Sequence, residues 1–383
     1  MKILLAPDSF KGTLSSIEVI NIVEKVARQH FRDLEIIKVP IADGGEGTVD
    51  SLIAAIGGEY REVEVSGPLS GQKVRAKYGI INGHTAVIEM AQASGLFLIK
   101  PEQRNPLITT SFGTGELIKA ALDEGIRDFI IGIGGSATND GGIGAAQALG
   151  VKFLDSNGEN VGFGGGELSK IRKIDLTEMD PRIRDSNINV ICDVNNPLTG
   201  PKGATAVYGP QKGVKTLETF EILEKGMKNY EKVIMDTTGL DMSTIPGSGA
   251  AGGLGATMVA IFGAVLKPGI EAMLDFVNFD NLIKDVDLVI TGEGKIDGQS
   301  IFGKVPVGIA QRCKQKNVSV VAVSGGMGKD ARKVYEFGID SIMPTINSDM
   351  CLEEAFERAE ELLEDAADRM FRFIKIGMSL KQE

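Results

Sequence analysis

Histidine is nearly absent from this chain: only two occur in 383 residues, His30 at a polar helix end and His84 in a hairpin turn. Both read as surface residues, so histidine triads and histidine-ligated metals are set aside. Cysteine is equally scarce. Cys192, Cys313 and Cys351 are scattered without CxxC spacing, which indicates neither a zinc site nor a disulfide framework and fits a reducing cytoplasm. Positive charge is also short. Lys and Arg total 41 against 52 Asp and Glu, a formal charge of -11. That balance opposes binding to nucleic acid or anionic membranes, and a small anionic substrate would need local lysines. No long apolar run is present. The N-terminal run stops at Asp8, too early for a signal peptide, and Gly249 to Leu266, within the longest uncharged stretch, is diluted by glycine, alanine and Thr257. It reads as a buried helix. Two nucleotide signatures are missing as well. SGGMGKD at 324–330 and TGEGKID at 291–297 lack the spacing and hydroxyl of a P-loop. The first loop, PDSFKG, has no GxGxxG, which weakens a dinucleotide reading. There is no internal repeat.

Glycine, by contrast, is plentiful, at 49 of 383 residues, about twice the usual share. The densest use is at 128–150, DFIIGIGGSATNDGGIGAAQALG. Phe129, Ile130, Ile131 and Ile133 suit a buried strand, and Ile143, Gln147 and the alanines resume helical spacing. Between them, Gly134, Gly135, Gly141 and Gly142 surround Ser136, Thr138, Asn139 and Asp140. Backbone without side chains, leading into unpaired helical N–H groups, favours a phosphate site. A plain tight turn with an Asn or Asp cap is the alternative for this segment alone. GSGAAGGLG at 247–255 is a second glycine-rich entry to a helix, and close helix packing is its alternative reading.

The chain length suggests two domains, and 43% hydrophobic content is ample for their cores. Strand, loop and helix occur twice in the first 60 residues: Lys2–Ala6 then a helix from about Ser16, and Glu35–Ile41 then a helix from about Thr48 to Ile56. Those are parallel-sheet units. From Gly58 the stretches 60–65, 72–81 and 85–90 alternate and read as antiparallel strands. A strand at 189–192 precedes a long loop, 193–213. Strands at 287–291, 318–323 and 341–345 alternate with helices near 303–316, 330–337 and 352–375. The expected architecture is α/β, with residues 1–65 and 282–383 forming one parallel-sheet domain and 66–281 a second α/β domain inserted in it.

The chemistry falls where the crevice of an open sheet would lie, at the carboxyl ends of strands. Asp8, Asp43, Glu46, Asp193, Glu293 and Asp297 all follow apolar runs, as do Lys11 and Lys295. One carboxylate in such a place is more often a helix cap than a catalyst. Six of them with lysines supply what phosphoryl transfer needs: groups to hold a divalent cation or take a hydroxyl proton, and cations to neutralise phosphate or a substrate carboxylate.

Taken together, APDSFKGTLSS, ADGGEGT, GIGGSATNDGG, DVNNPLTGPKGA, YGPQKG, GAAGGLG and TGEGKIDGQSIFGKVPVGIA closely resemble the family-1 glycerate kinases over nearly the whole chain. The departures are mild, such as Thr13 and Tyr208. The resemblance implies phosphorylation of D-glycerate by ATP with Mg2+, on a Rossmann-like domain made from both chain ends with an α/β domain between them. The resemblance assigns no residue its role; the residues themselves suggest that Lys11 or another basic group holds the substrate carboxylate and that Asp8, Asp43 or Asp193 orients or deprotonates the hydroxyl. The backbone of 134–142, with Gly252 and Gly253 of the second loop and Lys295, is expected to hold phosphates. Asp140, Glu293 or Asp297 would serve magnesium. The product is expected to be a phosphoglycerate, with the 2-phosphate favoured. The alternatives are a kinase of another small sugar acid and a non-catalytic sensor of small anions.

Overall fold

The structure is a computed structural model and describes residues 1–41, 47–301 and 303–380. Contacts divide the chain into two compact units, Met1–Asp43 with Ala54–Ile56 and Ile270–Glu383, and Gly44–Ile53 with Gly57–Gly269. As the motifs imply, the fold is α/β, with one parallel-sheet unit drawn from both ends of the chain and a second α/β unit from its middle.

The first unit carries a five-stranded sheet in the order Ser341–Pro344, Ser319–Met327, Leu288–Ile296, Lys2–Pro7, Glu35–Lys38, every neighbouring pair parallel. Lys2–Pro7 is apolar without alternation because both of its faces are covered, and all but its first residue are buried. The chain leaves this strand toward Glu35–Lys38 on one side, and it returns at Leu288–Ile296 on the other. The order therefore reverses between Lys2–Pro7 and Leu288–Ile296, the topological switch point where open sheets place ligands. One face is covered by the helices Ser16–His30 and Ala359–Leu380. Val19, Ile20, Val23, Leu363, Ala367 and Phe371 share a core with Ile3, Leu5 and Ile290. Ser15 begins the first helix with a capping box: its hydroxyl accepts from the Glu18 amide, and the Glu18 carboxylate accepts from the Ser15 amide.

The second unit has a six-stranded sheet ordered Val265–Lys267, Asn187–Ile191, Asp128–Gly132, Thr85–Glu89, Lys73–Ile81, Glu59–Ser66. The first four strands are parallel, and the last two add antiparallel. Thr85–Glu89 thus faces an antiparallel neighbour on one side and a parallel one on the other. A two-stranded sheet pairs Lys152–Leu154 with Lys173–Asp175.

Local differences from the sequence expectations have physical causes. The strand expected at 287–291 continues to Ile296, because Glu293, Lys295 and Ile296 keep pairing with Ser324, Gly326 and Met327. The helix expected over 250–266 runs only Ala250–Ala260. It is kinked where Ala251, Gly252 and Gly253 take left-handed backbone angles, and Val265–Lys267 follows as an edge strand. Within the long loop at 193–213, Ala204–Lys212 is a helix despite Pro210. The helix expected over 352–375 is two, Leu352–Glu357 and Ala359–Leu380. Among the described residues, no helix is long and apolar enough to cross a membrane.

Ser15→Ala should remove one partner of the capping box and lower stability by about 1 kcal/mol. Thermal or denaturant unfolding would measure it, and the secondary structure seen by circular dichroism should not change.

Candidate functional site

In the second unit, Asp128–Gly132 delivers the chain into the glycine-rich segment. Gly134 and Gly135 are exposed, and Gly135 has φ +71°. The segment then turns inward, with Thr138, Asn139 and Asp140 all fully buried. Three groups hold it there. The Asp140 carboxylate accepts from the Ser111 amide and hydroxyl, both at 2.8 Å, and from the Gly142 amide at 3.0 Å. Burial pushes its pKa up, and these donors with the Gly144 amide oppose that rise. The Lys212 ammonium donates to the Ser136 hydroxyl at 2.8 Å and to the Thr138 carbonyl at 2.7 Å. Asn139 donates to Thr205 at 3.0 Å. The Thr138 hydroxyl and the Asn139 side-chain oxygen are buried without a hydrogen-bond partner among the described residues.

The two glycine-rich segments meet. The Gly141 amide donates to the Gly252 carbonyl at 2.9 Å, and Thr257 donates its hydroxyl to the Gly141 carbonyl. Gly252 sits at φ +68°, and a β-carbon there would stand 2.0 Å from the Thr138 carbonyl oxygen and 2.6 Å from the Asn139 α-carbon. Only glycine fits that approach. Close packing, the alternative reading of 247–255, is thus what Gly252 and Gly253 show, while Gly134 and Gly135 are exposed.

At the carboxyl end of Asn187–Ile191, one oxygen of Asp193 accepts from the Gly269 amide at 2.7 Å, at the start of the helix Gly269–Phe276. Glu89, which sequence reasoning did not single out, ends the strand Thr85–Glu89. It is buried and accepts from the Val49 amide at 2.9 Å. Burial raises its pKa, and the Val49 amide opposes the rise. Its sequence signal was an acidic residue closing an otherwise apolar strand.

In the first unit, Asp8 and Glu293 flank the switch point. Asp8 is buried, accepts from the Ser9 amide at 2.7 Å, and donates its own amide to the Gly292 carbonyl at 2.8 Å. Lys11 is exposed on the same loop, and a β-carbon on Gly294 would lie 3.5 Å from the Lys11 amide nitrogen. Glu293 is buried; Ser300 donates to one oxygen at 2.6 Å and Lys304 pairs with the other at 3.1 Å. Burial raises its pKa, against Ser300 and Lys304. Asp297 accepts from the Gln299 amide at 2.9 Å and stands 3.6 Å from the exposed Lys295 ammonium. The Gln299 amide leads in lowering its pKa. Glu293, Asp297, Lys295 and Lys304 therefore form one cluster, with Asp8 and Lys11 on the adjoining loop. Lys304 and Lys212 both stand in quoted motifs, GKVP and YGPQKG, but were passed over. Asp43 and Glu46 lie outside the described residues. Among those described, no three His, Cys, Asp or Glu side chains gather as a metal site.

Open parallel sheets, a backbone turn held by buried polar groups, and an acidic cluster interleaved with lysines define an α/β protein. A family model described as the glycerate kinase family matches residues 3–375, and the chain belongs to that family. It is 47% identical over 381 residues to a glycerate kinase of Bacillus subtilis, covering 99% of both chains. To the glycerate 2-kinase of Escherichia coli it is 48% identical over 379 residues, again covering 99% of both. The crystal structure of a Salmonella typhimurium LT2 protein assigned as glycerate kinase 2 aligns with TM-score 0.89 at 44% identity, over 99% of each chain.

The geometry sets Asp140 against its expected metal role, since both oxygens already accept from Ser111 and Gly142 in a buried site. Asp140→Asn should place an amide against those donors and cost about 1–3 kcal/mol. Melting temperatures with and without Mg2+ should fall equally. A loss that appears only with Mg2+ would restore the metal role.

Proposed function

We propose that this protein is a family-1 glycerate kinase, which transfers the γ-phosphoryl group of ATP to a hydroxyl of D-glycerate, giving ADP and 2-phosphoglycerate. The chemistry is carried by the outward Gly134–Gly135 turn, built on an α/β sheet and backed by a lysine. The acceptor follows from the relatives, which are named glycerate kinases. The 2-position follows from the name of the Escherichia coli protein. Backbone N–H groups of 134–136 bind phosphate oxygens, Lys295 neutralises phosphate charge and Lys11 holds the glycerate carboxylate. The hydroxyl oxygen bonds to the γ-phosphorus, its proton passes to a carboxylate from Asp8, Asp43 or Asp193, and the bond to the β-phosphate oxygen breaks to release ADP.

Mg2+ is bound in kinases by one or two carboxylates together with phosphate oxygens, rather than by an all-protein cage. Glu293 and Asp297 supply such a pair at the end of Leu288–Ile296. These two would hold the ion, whose chemistry is to shield charge on the phosphates. Reaction in the cytoplasm accords with three free cysteines.

With Mg2+ the purified protein should form ADP from ATP and D-glycerate, and phosphorus NMR should show 2-phosphoglycerate. Excess EDTA should stop turnover. Larger aldonates should be poorer acceptors, and preferred turnover of one of them would reassign the substrate.

Asp193→Asn retains an acceptor for the Gly269 amide and so should keep the fold. If Asp193 is the proton acceptor, kcat falls by roughly 100- to 10,000-fold. A near-normal kcat with a lowered melting temperature would leave Asp193 as an anchor for the helix Gly269–Phe276.

A further inference from the structure

Lys212 is among the largest fully buried side chains of the protein, at 2% exposure. It is the last residue of the helix Ala204–Lys212, and the chain turns away at once through Gly213, φ +110°. A buried ammonium normally has a carboxylate partner, because neutral dipoles compensate poorly for lost water. Among the described residues no carboxylate forms an ion pair with Lys212. Its partners are two neutral oxygens, the Ser136 hydroxyl and the Thr138 carbonyl. Asp140 supports the charge only through space, and burial pushes the Lys212 pKa down to about 7. The Ser136 hydroxyl, having accepted from Lys212, retains its own proton, which has no acceptor among the described residues. Ser136 is 8% exposed and follows directly on the exposed Gly134 and Gly135. A cation short of negative charge thus polarises a hydroxyl whose free proton adjoins the outward turn.

We infer that Lys212 and Ser136 form a relay that recognises a phosphate oxygen of the nucleotide: Ser136 donates to the anion, and Lys212, buried behind it, is the positioning residue that strengthens that donor. The inference rests on the phosphate role proposed for the Gly134–Gly135 turn. A bound anion supplies the countercharge that Lys212 lacks. A hydrogen bond from a hydroxyl that itself accepts from an ammonium is stronger than one from an isolated hydroxyl.

The test is a double-mutant cycle on the full chain, with calorimetric binding of a non-hydrolysable ATP analogue plus Mg2+ and, separately, of D-glycerate. Lys212→Met and Ser136→Ala should each weaken analogue binding roughly ten- to a hundredfold. The double variant should be no weaker than the weaker single one, because both remove the same donor. Glycerate affinity should stay within about twofold by the same independence of separate sites. Lys212→Gln, which keeps an amide donor to both oxygens but no charge, should lose analogue affinity with a smaller loss of melting temperature. It stands in if Lys212→Met does not fold. Unchanged analogue affinity in a folded Lys212 variant, additive losses in the double variant, or a loss confined to D-glycerate would each overturn the relay. Gly134→Asp separates this from the underlying reading. If a carboxylate on the exposed turn leaves analogue binding intact, the phosphate role of the turn itself fails. If it abolishes binding while Lys212→Met does not, only the relay fails.

Discussion

Thr138 presents its carbonyl oxygen 2.0 Å from where a β-carbon on residue 252 would stand, and the Gly252 carbonyl in turn receives the amide of Gly141. This mutual backbone approach is the constraint on which the second unit depends. It requires left-handed angles at Gly141, Gly252 and Gly253, and it draws Ala251 into the same region at φ 53°, where an L-residue is strained. It also sends Ser136–Asp140 into the interior. The polar groups buried there, Asp140, Asn139 and Lys212, are the price of that path.

Those buried groups are satisfied unequally. Asp140 is saturated by Ser111 and Gly142, so its carboxylate fixes the loop. Among the described residues Lys212 has two neutral acceptors and no ion-pair partner, whereas Thr138 and Asn139 each leave one oxygen unpaired. Thr138 and Asn139 follow within a few residues of the exposed Gly134 and Gly135. In the first unit the pattern is different. Glu293 and Asp297 are each met by a lysine and a local donor, which suits charges that exchange partners when a ligand brings its own.

Much of this architecture was legible in the sequence because hydrophobic runs bounded by glycine report directly on buried parallel strands. The segment 128–150 folds as read, with the strand Asp128–Gly132, a turn, and the helix Ile143–Ala148. What could not be read were conformations that glycine permits without requiring. Nothing in GAAGGLG distinguishes a helix interior from a kink, and only the nearby Thr138 carbonyl decides it. Lys212 escaped notice because glycine and proline made 193–213 look like loop. The helix Ala204–Lys212 forms there because its residues pack inward, with Ala204, Thr205 and Lys212 all buried. Asp140 looked like a metal ligand because an acidic residue in a glycine loop has the right chemistry. Whether its oxygens are already occupied depends on Ser111, which local spacing does not reveal.

The central place of Lys2–Pro7 in the five-stranded sheet has a consequence for synthesis. One of its two neighbouring strands, Leu288–Ile296, lies about 285 residues further along the chain. At roughly 5–20 residues per second, the first strand waits on the order of 15–60 s for that neighbour to be made. Every strand of the six-stranded sheet, by contrast, has been synthesised before Leu288 is added. The six-stranded sheet can therefore pair while Ile3, Leu4 and Leu5 still lack the neighbour on one edge. For that interval Ile3, Leu4 and Leu5 are an apolar stretch without its sheet neighbour, the kind of open edge that favours aggregation.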